Sequence, residues 1–332
     1  MSQNDQQLTV RVAATSANLG PGFDCLGIAF KLYNYFTFKW HNFEETVSPK
    51  EQLDCLAKAP ASQMAMLEAY VRFACYYDLD LPLLDSVKLL QSSVPVSRGL
   101  GSSATCYVAG ARAAQWAAEQ LYRQEDLTGD EPDLLSRDAV LAIATDLEGH
   151  PDNVTPAVYG GLCLSSLDQG SPRSLAKSVF HLSLPVSSKL GFIAAYPSYN
   201  LKTKNSRAVL PDRVSLADSI FNLQSVTCLI KGLELADPDL LARGLKDKLH
   251  QPYRAQLIEG FYEKLEACKA AGAVGSVLSG AGPAILSIYL RDQFACGKVQ
   301  KELSVNLGKS WTVLDLEVDH EGYKAYMGEK II

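Results

Sequence analysis

Pro95-Val96-Ser97-Arg98-Gly99-Leu100-Gly101-Ser102-Ser103-Ala104 joins two segments of different periodicity. Ahead of it, Val87 to Leu90 reads as a short strand; behind it, Thr105 to Tyr122 is Ala-rich with Gly110 as its one glycine, which predicts a helix. A Gly/Ser turn between a strand and a helix N-terminus aims several backbone N–H groups and the positive end of the helix dipole at one place. Phosphate is the anion that suits such a place. Gly99 and Gly101 permit positive φ and close approach of the main chain, and the hydroxyls of Ser102 and Ser103 can reach a magnesium ion or a phosphate oxygen. A turn capped by serines explains the same residues without a ligand. The stretch is not a Walker A loop, because GxxxxGK[ST] is absent, and not a nucleophile elbow, because GxSxG needs a glycine where Ala104 or Thr105 stands.

Around this loop the chain is long enough for two domains sharing a cleft, at 332 residues, and its 47% hydrophobic content supplies their cores. Charged residues make up 20%, the net charge is -6, and no Lys/Arg cluster resembles a phosphate-backbone footprint, so nucleic acid is excluded as an expected partner. Met1 to Gln7 is polar, unlike a secretory signal, and no segment approaches the roughly 20 apolar residues of a membrane span. The expectation is a cytoplasmic protein with no membrane partner. Cysteines stand at 25, 55, 75, 106, 163, 228, 268 and 296 without CxxC or Cys/His ligand spacing, and read as reduced, mostly buried thiols. Cys25 is singled out because it follows a Gly-rich loop.

Along the chain, Leu8 to Ala14 alternates as a strand and ends in the turn-rich Ser16 to Gly22, and Ile28 to Trp40 is a second β-like run. Ser62 to Tyr77 has helical spacing. Gln124 to Asp133 is an acidic connector, and a helix from Ser136 to Glu148 ends at Gly149, where a left-handed cap would stop it. Asp168 to Arg173 is the candidate linker. Beyond it come a strand at Leu190 to Ala195, helices near Val214 to Leu235 and Gln256 to Ala271, a hairpin-like pair around Ser279 to Pro283, and a last helix and strand to Val318. Helices mixed with antiparallel strands make the second half α+β.

The loop resembles the PxxxGLGSSA signature of the GHMP kinases, named for galactokinase, homoserine kinase, mevalonate kinase and phosphomevalonate kinase. Two more segments agree in order and spacing. Ala14-Thr15-Ser16-Ala17-Asn18-Leu19-Gly20-Pro21-Gly22-Phe23-Asp24-Cys25-Leu26-Gly27 resembles the first motif of that superfamily in its homoserine kinase branch, and Ser279-Gly280-Ala281-Gly282-Pro283-Ala284 resembles its third. Both fail the GxGxxG dinucleotide fingerprint, with Cys25 and Ile285 in place of the third glycine. The resemblance implies an α+β, two-domain fold: an N-terminal domain like ribosomal S5 domain 2, at 1–170, then a ferredoxin-like domain, at 171–332. ATP and acceptor are then expected between them.

Site residues follow from the same resemblance. The loop, Pro95 to Ala104, wraps the triphosphate, and its second serine, Ser103, binds magnesium together with Glu148; the place of Glu148 at a helix C-terminus, which the macrodipole makes unfavourable for a carboxylate, independently asks for a nearby cation. His150-Pro151-Asp152-Asn153 matches the HPDN segment of bacterial homoserine kinases. It implies that Asp152 binds a substrate ammonium and that Asn153 lies beside the reacting hydroxyl, while His150 makes a structural hydrogen bond. Arg207 and Arg254 are expected to hold a carboxylate, and Asn18, Asp24 and Gly280 to complete the acceptor pocket, with Asp24 a second partner for the ammonium and the fallback base. Ser62 or Gln63 stands where many members carry an asparagine that supports the adenine site. The implied acceptor is L-homoserine and a homodimer is common in the family; another GHMP kinase acting on mevalonate, shikimate or a sugar, or a non-catalytic nucleotide-binding regulator, stays open.

Overall fold

The structure is a computed structural model that describes residues 7–332 apart from 41, 44, 57–59, 61–62, 125–132, 168–178, 202 and 293–295. The linker expected at Asp168 to Arg173 and most of the acidic connector lie outside the described residues, as does Ser62.

The first strand, Gln7–Ala17, buries Leu8, Val10 and Val12 completely on one face, as its alternation requires. It pairs antiparallel with Leu26–Trp40 from Gln7 opposite Lys39 to Ala17 opposite Gly27, and its register shifts between Ala13 and Ala14. Beyond that shift Thr15 and Ser16 are both fully buried, because the phosphate loop and the third glycine motif cover them. Leu26–Trp40 serves two partners on its other edge, Leu162–Leu167 at its start and Leu84–Ser92 at its end. The last paired residues of Leu84–Ser92 meet Asn34, and there the chain leaves the sheet to form the loop.

Helices Met64–Tyr77, Ser102–Gln124 and Arg137–Glu148 share the core cluster of this sheet, where Trp40 packs on Trp116 at 4.7 Å between ring centroids. Gly110 permits the closest helix contact: a Cβ there would lie 2.1 Å from the Met66 carbonyl oxygen. Ser136 caps Arg137–Glu148 through Ala139 N–H, and Gly149 ends it at φ 89°. The start near Ser136 and the left-handed cap at Gly149 were expected from the sequence.

The second sheet runs Trp311–Leu316, Leu190–Pro197, Ile285–Leu290, Gly275–Leu278, all antiparallel. With helices Leu216–Leu235 and Cys296–Leu307 this is a βαββαβ unit in ferredoxin-like order. The helix expected over Gln256 to Ala271 is instead a short 3₁₀ turn, Ala255–Leu257, and a helix Phe261–Ala270, because Gly260 at φ 62° redirects the chain between them. Two segments of the second half belong to the first sheet: Val179–Leu184 pairs with Leu162–Leu167, and Lys324–Met327 with Gln7–Ala17. The hydrogen-bonded layers therefore do not follow a division at 170/171. Among the described residues no helix is long and apolar enough to cross a membrane.

Candidate active site

The three glycine motifs meet at one point between the two layers. Thr15 N–H donates to the Leu100 carbonyl at 3.2 Å, Ser279 Oγ to the Gly99 carbonyl at 2.6 Å, and Gly280 N–H to the Ala17 carbonyl at 3.1 Å. The approach leaves no room for side chains. A Cβ on Gly99 (φ 80°) would lie 2.2 Å from the Ser279 carbonyl oxygen, and one on Gly101 (φ 70°) would lie 2.0 Å from Thr15 Oγ1. These glycines are thus required by packing as well as by any ligand. The helix that begins at Ser102 presents first-turn amides, which a helix leaves without intrahelical partners, to the cleft in front of them.

That cleft has a volume of about 440 Å³. Of the loop residues, Val96, Ser97, Gly99, Gly101, Ser102 and Ser103 line it. Leu100 and Ala104 turn into the core, fully buried, and are not among the lining residues. Arg98 points out of the cleft toward the second sheet, donating from Nε to the Pro197 carbonyl and from Nη2 to the Ser198 carbonyl. Pro95 is not among the lining residues.

Ser103 Oγ donates to Glu148 Oε1 at 2.8 Å. Burial raises the Glu148 pKa above the ordinary carboxylate value, while His150, the Ser103 hydrogen bond and the more distant Arg207 pull it down and Asp152 adds to the rise. A hydroxyl and a half-buried carboxylate in contact are a donor set for a hard cation.

At the other end, Asp24 (φ 56°) and Arg207 form a two-pronged ion pair, 2.8 and 3.2 Å. The expectation assigned them separate substrate charges; here they hold each other. Asn18 is committed on both ends of its amide, Nδ2 donating to the Gly280 carbonyl at 3.0 Å and Oδ1 accepting from Asp24 N–H at 3.0 Å. It therefore shapes the Asp24 turn. Arg254, 2% exposed, donates to the carbonyls of Ser206 and Gly280 and toward His250 Nδ1, all neutral groups. Burial, with Arg207 adding to it, pushes this guanidinium down to about 10 against the pull of Asp24, Asp152 and Asp247. His250 Nε2 lies 2.8 Å from the Gly20 carbonyl and so carries the proton, leaving Nδ1 to accept from Arg254.

Asp152 is 1% exposed and receives His150 Nδ1 and, at 3.4 Å, Asn153 Nδ2. Thr15 Oγ1 donates to Asn153 Oδ1 at 2.9 Å, which fixes the face that this amide turns to the cleft. Burial alone would lower the His150 pKa; the hydrogen bond and charge of Asp152, with Glu148, more than offset it and leave it raised, Arg207 acting against them. His150 also lines the cleft. Cys25 is no reactive thiol: burial, with Asp152 and Asp24 nearby, pushes it up to about 11. Cys55, Cys75, Cys106, Cys163, Cys228 and Cys268 are free too, and of these Cys163 and Cys268 are fully buried, fewer than expected.

Sequence reading missed Asn34, Thr105 and the apolar wall of the cleft. Asn34 Nδ2 donates to Thr105 Oγ1 at 3.0 Å and its Oδ1 accepts from Val94 N–H at 3.1 Å, tying both ends of the loop to the strand beneath. A buried polar residue inside an apolar strand is the signal that could have found it. The missed part of the wall is Phe36, Met66 and Leu89, beside Val96 of the expected loop; Gln63 lines a separate, smaller cavity.

The models for the GHMP kinases N terminal domain and GHMP kinases C terminal match residues 65–161 and 229–303. The homoserine kinase of Clostridium botulinum (strain Kyoto / Type A2) is 35% identical over 313 residues, covering 94% of this chain and 96% of its own. That of Prochlorococcus marinus (strain NATL1A) is 37% identical over 317 residues, covering 92% and 89%. The crystal structure of homoserine kinase from Cytophaga hutchinsonii superposes with a TM-score of 0.75 at 24% identity over 97% of this chain and 98% of the other, a likeness of fold. With three glycine motifs packed around one cleft and relatives of this identity along nearly its whole length, the chain belongs to the GHMP kinases, in their homoserine kinase family.

Proposed function

We propose that this chain transfers the γ-phosphoryl group of ATP to the side-chain hydroxyl of L-homoserine, giving ADP and O-phospho-L-homoserine on the route to threonine. One observation carries the reading: a single cleft is lined both by a helix N-terminus with two serines and by opposite fixed charges, Asp24 and Arg207. The first suits a triphosphate. The second suits a zwitterionic amino acid, and relatives that bear the homoserine kinase name support that acceptor.

The amides of Gly99 to Ala104 would hold the phosphates and the wall of Met66, Leu89 and Val96 the adenine. Ser103 and Glu148 fit magnesium: both are hard oxygen donors, and they touch, so the two could share one ion. Bound there, the ion would neutralise charge between the β- and γ-phosphates. Asp24 and Asp152 serve the ammonium, Arg207 and Arg254 the carboxylate. Asn153 orients the hydroxyl, whose oxygen attacks Pγ as the bond from Pγ to the bridging oxygen of ADP breaks.

An amide cannot take the hydroxyl proton, and Asp24 is given over to the substrate ammonium, so the proton passes to a γ-phosphoryl oxygen. His150, in the cleft and backed by buried Asp152, favours a second reading in which its imidazole is the base. An ADP-release assay with ATP and magnesium tests the acceptor: turnover is expected with L-homoserine, with kcat/KM about 10- to 200-fold lower for L-serine, which is one methylene shorter, and lower still for mevalonate. Preference for mevalonate, or ATP binding without turnover, would overturn the proposal.

A further inference from the structure

We infer that Arg98, although it belongs to the nucleotide loop, is a positioning residue for the acceptor: it fastens the segment that carries Arg207. The inference rests on the homoserine kinase reading above and adds to it a physical link between the two halves of the cleft.

The side chain of Arg98 leaves the loop and spans to the end of strand Leu190–Pro197. Nε donates to the Pro197 carbonyl at 3.1 Å, Nη2 to the Ser198 carbonyl at 2.7 Å and Nη1 back to Val96 at 3.2 Å, with the guanidinium 5.6 Å from the Tyr196 ring centroid. Next to it Ser97, a non-glycine residue held at φ 55°, accepts Leu201 N–H at 3.1 Å. Three hydrogen bonds therefore join loop residues 97 and 98 to residues 197–201. Ser198 N–H is held in turn by the Ser310 carbonyl at 3.1 Å, so the second sheet backs this junction.

Helix Thr203–Ala208 follows, six residues long. A helix of that length has no stability of its own in water, so its anchors decide where it sits. It delivers Arg207 onto Asp24, and its Ser206 carbonyl accepts at 3.1 Å from Nε of Arg254, which stands on its own helix, Gln251–Arg254. Ser206 is fully buried, which leaves its backbone little freedom to adjust. Moving the start of this helix moves Arg207, while Arg254 keeps its own bonds to the Gly280 carbonyl and His250. A planar fork can hold two successive carbonyls at once, and a lysine ammonium cannot hold them in the same geometry. Nucleotide that orders the loop thereby favours the acceptor-binding arrangement, and by linkage homoserine favours nucleotide.

The test is steady-state kinetics of R98Q and R98K, with Tm to establish folding, alone and on an R207A background. Both single variants are expected to raise KM for homoserine about tenfold, a factor in keeping with loss of two carbonyl hydrogen bonds, and to raise KM for ATP by less. On the R207A background the R98Q effect on homoserine shrinks to about twofold or less, because the residue being positioned is gone. Where R207A turns over too slowly, calorimetric titration of homoserine in the presence of a non-hydrolysable ATP analogue reads the same cycle. Full rescue by R98K, an effect on ATP alone, or additive effects of R98Q and R207A would each overturn the inference. An inactive wild-type enzyme sinks the function instead; active wild type with unchanged R98Q and R98K sinks this inference alone.

Discussion

Arg207 grips both carboxylate oxygens of Asp24, Nη2 to Oδ1 at 2.8 Å and Nη1 to Oδ2 at 3.2 Å, across the mouth of the acceptor end of the cleft. Both side chains are more than one-third exposed, 38% and 35%. A pair so placed is worth about 0–1 kcal/mol, so it is a resting arrangement that a zwitterion can exchange into. Asp24→Asn is therefore expected to raise KM for homoserine by about 10- to 100-fold, the scale of a charge-assisted contact, with kcat falling less than about tenfold. If kcat collapsed at unchanged homoserine affinity, Asp24 would be the base and the amide-only account of Asn153 would fail.

Phe23 is the surface on which the two arginines rest. The Arg207 and Arg254 guanidinium carbons lie 5.8 and 5.2 Å from its ring centroid, and His250 stacks on it at 5.0 Å. Each cation–π contact contributes roughly 0.5–2 kcal/mol depending on burial. Phe23→Leu should raise KM for homoserine by about 5- to 30-fold, since 1.4 kcal/mol is a factor of ten, and Phe23→Tyr should restore most of it. Equal loss in both variants would point to steric packing rather than the aromatic face.

His150 separates the two proton routes. A general base supplies about 10²–10⁴-fold. His150→Asn is expected to lower kcat by less than about tenfold, because the proton leaves through the phosphoryl group. A larger fall, accompanied by loss of a pH-dependent limb in kcat, would establish the imidazole as the base.

His250 makes stability depend on pH. Burial is the largest cause lowering its pKa, Arg254 lowers it further, and Asp247, the Gly20 carbonyl and Asp24 act the other way without reversing the direction. Above the ordinary histidine value of 6.5 it is neutral in both folded and unfolded chains, so its contribution is fully present there. As pH falls below 6.5 the unfolded chain takes up the proton first, and stability is lost until pH passes the lowered folded value. Tm should thus fall between pH 6.5 and 5 more steeply in the wild type than in His250→Gln. Matching slopes would show that His250 charges as readily in the folded chain.

Most of the nucleotide end was legible because its chemistry is local. A Gly/Ser run at a helix start specifies amides, close approach and hydroxyls within ten residues, and Ser136 and Gly149 mark the ends of the helix that delivers Glu148. The acceptor end was less so. Asp24 and Arg207 are 183 residues apart, and nothing in either segment says that they bond to each other. Likewise Arg98 reads as a loop residue, yet its partners are carbonyls 99 and 100 positions away, and carbonyls leave no trace in the identity of a residue. The strand Lys324–Met327 escaped notice for a related reason, since the five residues between Gly322 and Gly328 are too few to establish a period.

The proposed metal position between Ser103 and Glu148 is tested most directly by calorimetric binding of a non-hydrolysable ATP analogue with and without Mn²⁺. The wild type is expected to bind the analogue more tightly with the ion than without it, and Glu148→Gln and Ser103→Ala to lose about tenfold or more of the ion-dependent gain while retaining metal-free affinity. An ion-dependent gain of the same size in all three proteins would contradict the account.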